Sequence, residues 1–566
     1  MLAELARLTA LDEGSLQSFK VRAYENAIHG LEGHPDQVAS LNKAELVKIK
    51  GVGASIAAKI REYVETGQVA KLNELAALYP PSFVELMKIP GLGPKTLKLI
   101  RAELGVEDLE GLKVAVAEEK LRELPGLGAQ SEEKIARAIE RLGLHGKDRR
   151  TPIAEALPVA ETLASELASL PGVEAATVCG SLRRLAETIG DVDIVVASTD
   201  PAPVMAAVAS HPRATEVIGS GETKTSILTR GGLQVDVRVV TPDQYGSALL
   251  YFTGSKAHNV ALRQRAIDRG WLLSEYGLFD GEQVVAAASE EAIYQSLELQ
   301  TIPPPMRENS GEIQAASRGE LPLLTLDDIK GDLHYHSDRS GDGRSTLEEM
   351  VAAAANRGYR YVALTEHGEN LAINGSSRQE MLAHRERIDD VAAGYPNLTV
   401  LFGCELNIGP DGSLDYDPDF RLQFDWCVAS VHSHFDLPPE QQTARLLRAI
   451  ADPAVNAVGH LTGRYIGRRP GIELEVEAVL DGLAASGVAL EINGALDRLD
   501  ASAEVVRKAA ARGVKLVIST DSHHVSDLRR MAYGVANAQR GWASAADVVN
   551  TMKTDGFLRF LRSRRD

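Results

Sequence analysis

Three textures of hydrophobic patterning follow one another along the 566-residue chain. From residue 1 to about 145, apolar positions recur at helical spacing, broken by short Gly-containing turns, which predicts a bundle of short helices. Residues 151 to about 240 alternate helical stretches with short apolar runs, and "VEAATVCGS", "DVDIVVAS" and "LQVDVRVV" read as strands. Beyond residue 331, apolar runs alternate with helical stretches such as "TLEEMVAAAANRG", the pattern of a (β/α) barrel. Between the last two textures, "QTIPPPMRENSGEIQAASRGELPLLT" replaces periodicity with proline, glycine and polar residues, which predicts a linker.

Composition narrows this picture without changing it. A chain of this length with 44% hydrophobic and 5% aromatic residues is long enough for several domains, each with its own core. The formal charge of −18 argues against a generally basic nucleic-acid binder. Residues 1–150 are balanced, however, with 22 Lys+Arg against 22 Asp+Glu, so a local DNA contact remains compatible with the charge. Cys179, Cys404 and Cys427 are too few for a disulfide framework. The N-terminus lacks a signal-peptide pattern and no apolar run approaches a membrane span, so a cytoplasmic, membrane-free protein is expected, and a monomer.

One pattern recurs in the helical region: "IKGVGASIAAKI", "IPGLGPKTLKLI" and "LPGLGAQSEEKI". Each is an apolar residue, a Gly-x-Gly hairpin and a helix, which aims unpaired backbone N–H groups at whatever precedes the helix, and a phosphate fits there. Glycine permits close approach, while Lys59, Lys95 and Lys98 add charge without reading sequence. A single copy could be an ordinary helix–turn–helix corner; three copies weaken that interpretation. In the third, Gln130 and Ser131 stand where a basic residue is expected.

In "GSLRRLAETIGDVDIVV", Asp191 and Asp193 project from one side of a strand and repel each other, and "LQVDVRVV" adds Asp236. Three converging carboxylates are costly unless they hold cations, and hard oxygen ligands suit Mg²⁺ or Mn²⁺ beside substrate phosphates. Gly180, Ser181, Arg183 and Arg184 come just before the pair, a turn and guanidinium groups suited to a triphosphate.

Nine of the fourteen histidines fall in residues 331–566, most of them just after apolar runs: "GDLHYHS", "YVALTEHG", "LTVLFGCE", "WCVASVHSH", "VNAVGHLTG" and "LVISTDSHH". A lone histidine is more often a satisfied core residue than a ligand. His334, His336, Asp342, His367, Glu405, His432, His460, Asp521 and His523 together are far more than that reading accommodates. Mixed imidazole and carboxylate donors suit Zn²⁺, Mn²⁺ or Fe²⁺, and a set this large implies two or three ions.

"GSLRRLAETIGDVDIVV", "VDVRVV" and "YFTGSKAHNVALRQRAIDRGWLLSEYGLF" resemble the palm and thumb of family X DNA polymerases, and the repeated hairpins resemble helix-hairpin-helix motifs. That resemblance implies a multidomain chain: a helical domain over 1–75, a fingers-like domain over 76–148, both carrying helix-hairpin-helix motifs, an α+β nucleotidyltransferase palm over 149–242 and a thumb over 243–310. A linker over 311–328 would lead to the last domain, 329–566. By the same resemblance, Asp191, Asp193 and Asp236 are the catalytic metal triad, and Gly180, Ser181, Arg184 and Gly190 surround the triphosphate. Tyr251 and Phe252 lie against the nucleotide sugar, Gly254 leaves it room and Asn259 meets its base. Gly51, Gly53, Lys59, Gly91, Gly93 and Lys95 hold DNA backbone and Arg263 the template. Lys59 matches the Schiff-base lysine of a related lyase, but Ser55 replaces a supporting lysine, which argues against lyase activity.

The histidine-rich segment resembles the PHP (polymerase and histidinol phosphatase) phosphoesterases. This implies that His334, His336, Glu405 and Asp521 form one site, that Glu405 bridges to His432 and His460, and that Asp342, His367 and His523 hold a third ion. Asp342 stands one residue later than the usual pattern, "TEH" replaces Thr-Asp-His, and His434 and His524 have no family role. The implied function is gap-filling DNA synthesis on gapped or nicked DNA with deoxynucleoside triphosphates, joined to a 3′–5′ exonuclease or a related 3′-phosphatase or abasic-site activity. Two other readings are a DNA-end-binding scaffold with vestigial centres, and a PHP half acting on small phosphate monoesters.

Overall fold

A computed structural model describes residues 1–16, 18–32, 38–89, 91–142, 150–371 and 374–563. Pro90 of the second hairpin and residues 143–149, at the end of the fingers-like region, lie outside them. Two compact units divide at residue 150.

The first unit is helical throughout its described residues. Its helices share one hydrophobic core that runs from Leu5 and Leu11 through Ile56 and Phe83 to Leu97 and Ile135. The two helical regions expected as separate domains are therefore joined by common burial. All three Gly-x-Gly hairpins share a left-handed first glycine. Gly51, Gly91 and Gly126 take φ of +89°, +94° and +82°, and Gly53, Gly93 and Gly128 directly precede the helices that follow. At Gly51 a side chain is excluded twice over, because an added Cβ would also lie 2.4 Å from the carbonyl oxygen of Asn26.

The second unit begins with a five-stranded sheet. Its strands are β1 (Val173–Val178), β2 (Asp191–Ser198), β3 (Ala214–Ser220), β4 (Lys224–Thr229) and β5 (Gln234–Val240), in the order β1-β2-β5-β4-β3. The central pair, β2 and β5, is parallel, and both strands bury alternate valines and isoleucines under the helix Ile153–Ala168. A thumb follows, built of the helices Tyr245–Thr253 and Lys256–Ile267 and a three-stranded antiparallel sheet over 272–286.

Residues 311–328 are not a loose linker. They contain the helix Glu312–Arg318, whose Ile313, Ala315 and Ala316 enter the thumb core beside Leu262 and Ile293. Fully buried Glu312 meets His258 Nδ1 at 2.7 Å. The prolines and glycines that hid this helix from periodicity serve the turns at its ends, such as Gly311 at φ +107° and Gly319 at φ +73°.

The C-terminal part is a seven-stranded parallel sheet in sequential order: β6 (Gly331–Tyr335), β7 (Tyr361–His367), β8 (Thr399–Asn407), β9 (Trp426–Ser430), β10 (Ala457–Val458), β11 (Ala489–Asn493) and β12 (Leu516–Ser519). A parallel bridge between Tyr335 and Ser522 nearly closes it into a barrel. The palm core runs into this barrel, since Leu499 belongs to it and Ile466, Leu496 and Tyr533 pack against it. Arg464 spans the same boundary with a two-pronged pair to Glu187, at 2.8 and 3.2 Å.

Two candidate metal centres

Parallel pairing sets Asp193 directly opposite Asp236 on neighbouring strands, and Asp191 two residues earlier on β2 shares their face. The three predicted carboxylates converge. Burial, then the charges of Asp191 and Asp236, push Asp193 up to about 7. Burial acts on Asp236 in the same direction, but hydrogen bonds from Lys224 and Gln234 outweigh it and leave that carboxyl below its usual range. Lys224 Nζ lies 2.6 Å from Asp236 Oδ2, and Gln234 Nε2 donates to Oδ1 at 2.8 Å. Sequence reasoning missed Lys224 because β4, which carries it, went unread.

The turn before β2 is built around Gly180. Its φ is +63°, and an added Cβ would lie 2.7 Å from Asp193 Oδ2. Ser181, Arg184 and Gly190 are part-buried around the carboxylates' end of the strand. Arg183 is bound within the palm and thumb: it donates to Thr253 Oγ1 and forms a two-pronged pair with Glu290, which Arg307 also contacts at 2.5 Å. Arg184 instead donates Nη1 to the carbonyl oxygen of Thr253, close under Gly254, where a Cβ would lie 3.2 Å from that nitrogen. Tyr251 and Phe252 meet edge to face at 5.0 Å. Asn259 donates to the carbonyl of Tyr251, Arg263 lies over the Tyr251 ring, and Tyr251, Asn259 and Arg263 line one cleft.

At the barrel, the strand ends bring all nine predicted ligands together. The two oxygens of buried Glu405 face different ways. Oε1 lies 2.9 Å from His460 Nε2 and 3.1 Å from His432 Nε2. Oε2 lies 2.9 Å from His367 Nδ1, 3.5 Å from His334 Nε2 and 3.6 Å from His336 Nε2. Asp521 Oδ1 approaches His334 and His336 at 3.8 and 3.6 Å. Asp342 Oδ2 reaches His367 and His523 at 3.5 and 3.4 Å, so its displaced position in sequence still delivers it to the group. His434 and His524 stay out, bound to Ser433 and Ser526.

These residues fit metal ions. His334 Nε2 and His336 Nε2 are buried without hydrogen-bond partners, which is costly unless a cation takes their lone pairs. Donor atoms cluster within 4.8 Å in three sets: His336, His367 and His523; His334, His336 and Asp521; His367, Glu405 and His432. Burial and the neighbouring His523 and His367 push His336 down to about 4, which keeps that imidazole neutral and able to ligate.

Comparison with known proteins bears on both centres. The description "DNA polymerase beta thumb" matches residues 248–308, and "PHP domain" matches 332–495. "Helix-hairpin-helix domain" matches 1–69 and "SAM-like Helix-hairpin-helix tandem" 83–141. A Bacillus subtilis protein named "DNA polymerase/3'-5' exonuclease PolX" is 36% identical over 550 residues, covering 96% of this chain and 95% of that one. The chain belongs to the PolX family. Proteins named "Probable phosphatase" from Caldicellulosiruptor saccharolyticus and Vibrio atlanticus match a shorter part, 27% and 29% identical over 41% and 36% of this chain and 96% and 81% of theirs.

A supporting layer around the barrel ligands went unread in the sequence. Glu491 meets His334 Nδ1 at 2.6 Å and accepts from the His460 amide at 2.5 Å, fixing the ring so that Nε2 faces the ligand cluster. Asn407 Oδ1 faces His432 Nδ1 at 2.7 Å, and Asn493 Nδ2 donates to Asp521 Oδ2. Glu366 of "TEH" is no ligand; it accepts from the amides and hydroxyls of Ser337 and Ser340 and so shapes the loop after β6. Glu366, Asn407 and Asn493 lie at or beside the ends of apolar strands, the one signal that could have found them, whereas Glu491 sits in the middle of β11.

The first unit carries the remaining predicted contacts. Lys95 is exposed, Lys98 donates to the carbonyl of Asp12, and Lys59 Nζ donates to Ser55 Oγ at 2.9 Å. Among the described residues no helix is long and apolar enough to cross a membrane.

Proposed function

We propose that this protein is a DNA-directed DNA polymerase that fills gaps in duplex DNA and that its barrel is a 3′–5′ exonuclease. The observation that carries the polymerase reading is the strand register that sets Asp193 beside Asp236, one turn from the Gly180-Ser181 backbone and Arg184. In this reading Asp236 accepts a hydrogen bond from the primer 3′-hydroxyl and draws its proton away as the oxygen attacks the nucleotide α-phosphate and pyrophosphate leaves, Asp191 and Asp193 flank the nucleotide phosphates, and Ser181, Arg184 and the Gly190 backbone hold the triphosphate in line for attack. Tyr251, Phe252 and Asn259 orient the sugar and base, Gly254 leaves room for them, and Arg263 supports the template.

In the barrel, His334, His336, Glu405 and Asp521 would hold one ion, His432 and His460 a second shared through Glu405, and Asp342, His367 and His523 a third. Divalent cations, Mg²⁺ or Mn²⁺ among the palm carboxylates and Mn²⁺, Zn²⁺ or Fe²⁺ among the imidazoles, would lower the pKa of the attacking oxygen and offset charge on the phosphate. The repeated hairpins would grip DNA backbone through Gly51, Gly53, Lys59, Gly91, Gly93 and Lys95, without reading sequence. We place the protein in the cytoplasm, as a monomer.

The test is a labelled single-nucleotide-gapped duplex, with and without nucleotides, assayed beside a small phosphomonoester. Extension with nucleotides and 3′-end shortening without them are expected, with the monoester turned over far more slowly. Binding of the gap with neither reaction would leave only a scaffold. Rapid monoester hydrolysis without end shortening would make the barrel a small-molecule phosphatase.

A further inference from the structure

Two successive arginines precede the palm carboxylates; the thumb holds both, and Arg184 alone is also tied to the barrel. Arg183 is fixed by thumb residues alone, through Glu290 and Thr253. Arg184 is held by Glu308, whose Oε1 accepts from its Nε at 3.0 Å. That same oxygen accepts from Arg540 Nη1 at 2.7 Å, and Arg540 Nη1 also reaches the carbonyl oxygen of Arg184 at 2.9 Å. Arg540 is a barrel residue. It ends the helix Met531–Arg540, which packs against β12, the strand leading into Asp521 and His523.

The charges in this triad decide what it can do. Side-chain exposures of 15% for Arg184, 30% for Glu308 and 24% for Arg540 leave the three partly screened from water, so their mutual interactions outweigh those of surface pairs. Glu308 alone would neutralise Arg184 and set a carboxylate beside the place read as the triphosphate site. With Arg540 sharing the same oxygen, the triad carries a net positive charge and Glu308 acts as a brace. The bonds to Glu308 and to Thr253 hold the guanidinium at Nε and Nη1, the bond from Arg540 holds the Arg184 main chain, and Nη2 is left as an uncommitted donor among the described residues.

We infer that Arg540, from the phosphoesterase barrel, is a positioning residue for the polymerase: through Glu308 it orients Arg184 and keeps its charge available to the incoming nucleotide's triphosphate. Nucleotide affinity at the palm would then depend on the barrel's packing against it. This rests on the reading of Arg184 as a triphosphate ligand.

The experiment is steady-state filling of a one-nucleotide gap by the full chain and by Arg540→Ala, Arg540→Lys, Arg540→Ala with Glu308→Gln, and Arg184→Ala, with 3′-end shortening measured on each. Arg540→Ala should raise KM for the nucleotide roughly tenfold while changing kcat little, a coupling of ordinary size between sites. Arg540→Lys should recover part of the loss, and adding Glu308→Gln should recover more by removing the unpaired carboxylate. A general structural defect would lower kcat and end shortening together and leave Glu308→Gln without benefit; that outcome overturns the inference. An unchanged KM in Arg540→Ala, with KM raised in Arg184→Ala, overturns the inference alone. An unchanged KM in Arg184→Ala overturns the reading beneath it as well.

Discussion

In the palm, three carboxylates on two neighbouring strands face a single lysine, whereas in the barrel three carboxylates are interleaved with six imidazoles. The palm set is under charge strain: burial and its two neighbours push Asp193 up to about 7, and hydrogen bonds from Lys224, Gln234 and Ser226 keep Asp236 low. In the proposed reading such a cluster would be completed when cations and a nucleotide arrive together. The barrel set is balanced by its own histidines, and a supporting layer of Glu491, Asn407 and Asn493 fixes several ligands in advance. In the proposed reading one centre would be assembled by its substrate and the other would stand ready, although the palm and barrel share a packed boundary at Leu499 and Arg464.

The largest effects should come from removing ligands. Asp191→Ala with Asp193→Ala is expected to lower nucleotide addition by orders of magnitude and leave 3′-end shortening nearly intact, and His336→Ala or Asp521→Ala should do the reverse. Labelled primer termini read by gel report both reactions at once. Loss of end shortening in the palm variant, with folding verified, would show that the barrel depends on an intact palm.

Glu290, held between Arg183 and Arg307, provides a buried charge cluster that needs no ion. Burial raises its pKa, but Arg307 and Arg183 outweigh burial and depress it. Glu290→Gln should cost about 3–5 kcal/mol by leaving both guanidiniums uncompensated, measured by denaturant unfolding at neutral pH. The sign follows from the depressed pKa. The carboxylate's contribution is complete above the ordinary glutamate value of about 4.3 and is lost as pH falls through the lower folded value, so the gap between the proteins should close only in acid.

A smaller effect tests how far the barrel is built in advance. Glu491→Gln keeps the shape but weakens the hold on His334, and should lower end shortening by about 10- to 100-fold and reduce bound metal, with gap filling unchanged. Metal content by mass spectrometry beside the nuclease rate checks it. Unchanged metal content with a full-rate nuclease would mean that the ligands hold themselves in place.

Glu491 also marks where the sequence stops being legible. Six barrel strands were readable because each apolar run ends in a histidine, aspartate or glutamate ligand. β11 ends in Asn493, with Gly494 after it, so it passed unread together with its glutamate. In the palm, β2 and β5 stood out as apolar runs carrying aspartates. β3 is largely exposed and lacks clean alternation, and with it and β4 the chain hid Lys224. The helix Glu312–Arg318 was lost among prolines and glycines. Chemistry-bearing residues that punctuate a periodic pattern are visible; those that brace them across strands depend on register, which a single strand's pattern does not carry.

The smallest expected signal concerns Lys59. A lysine that forms a Schiff base must be free and deprotonated, and a neighbouring cation is one means of lowering its pKa. Here the neighbour is Ser55, whose hydroxyl accepts from Lys59 Nζ at 2.9 Å and brings no positive charge. Lys59 therefore resembles neither metal centre, where strong fields act on the reactive groups; it suits phosphate contact. Borohydride treatment with a 5′-deoxyribose-phosphate end should trap little or no protein, and Lys59→Ala should instead weaken binding to gapped DNA by a few-fold and lower its salt dependence by about one counterion. Strong trapping that disappears in Lys59→Ala would overturn this, and would show that the helical unit carries a third reactive centre whose activation owes nothing to a cationic partner.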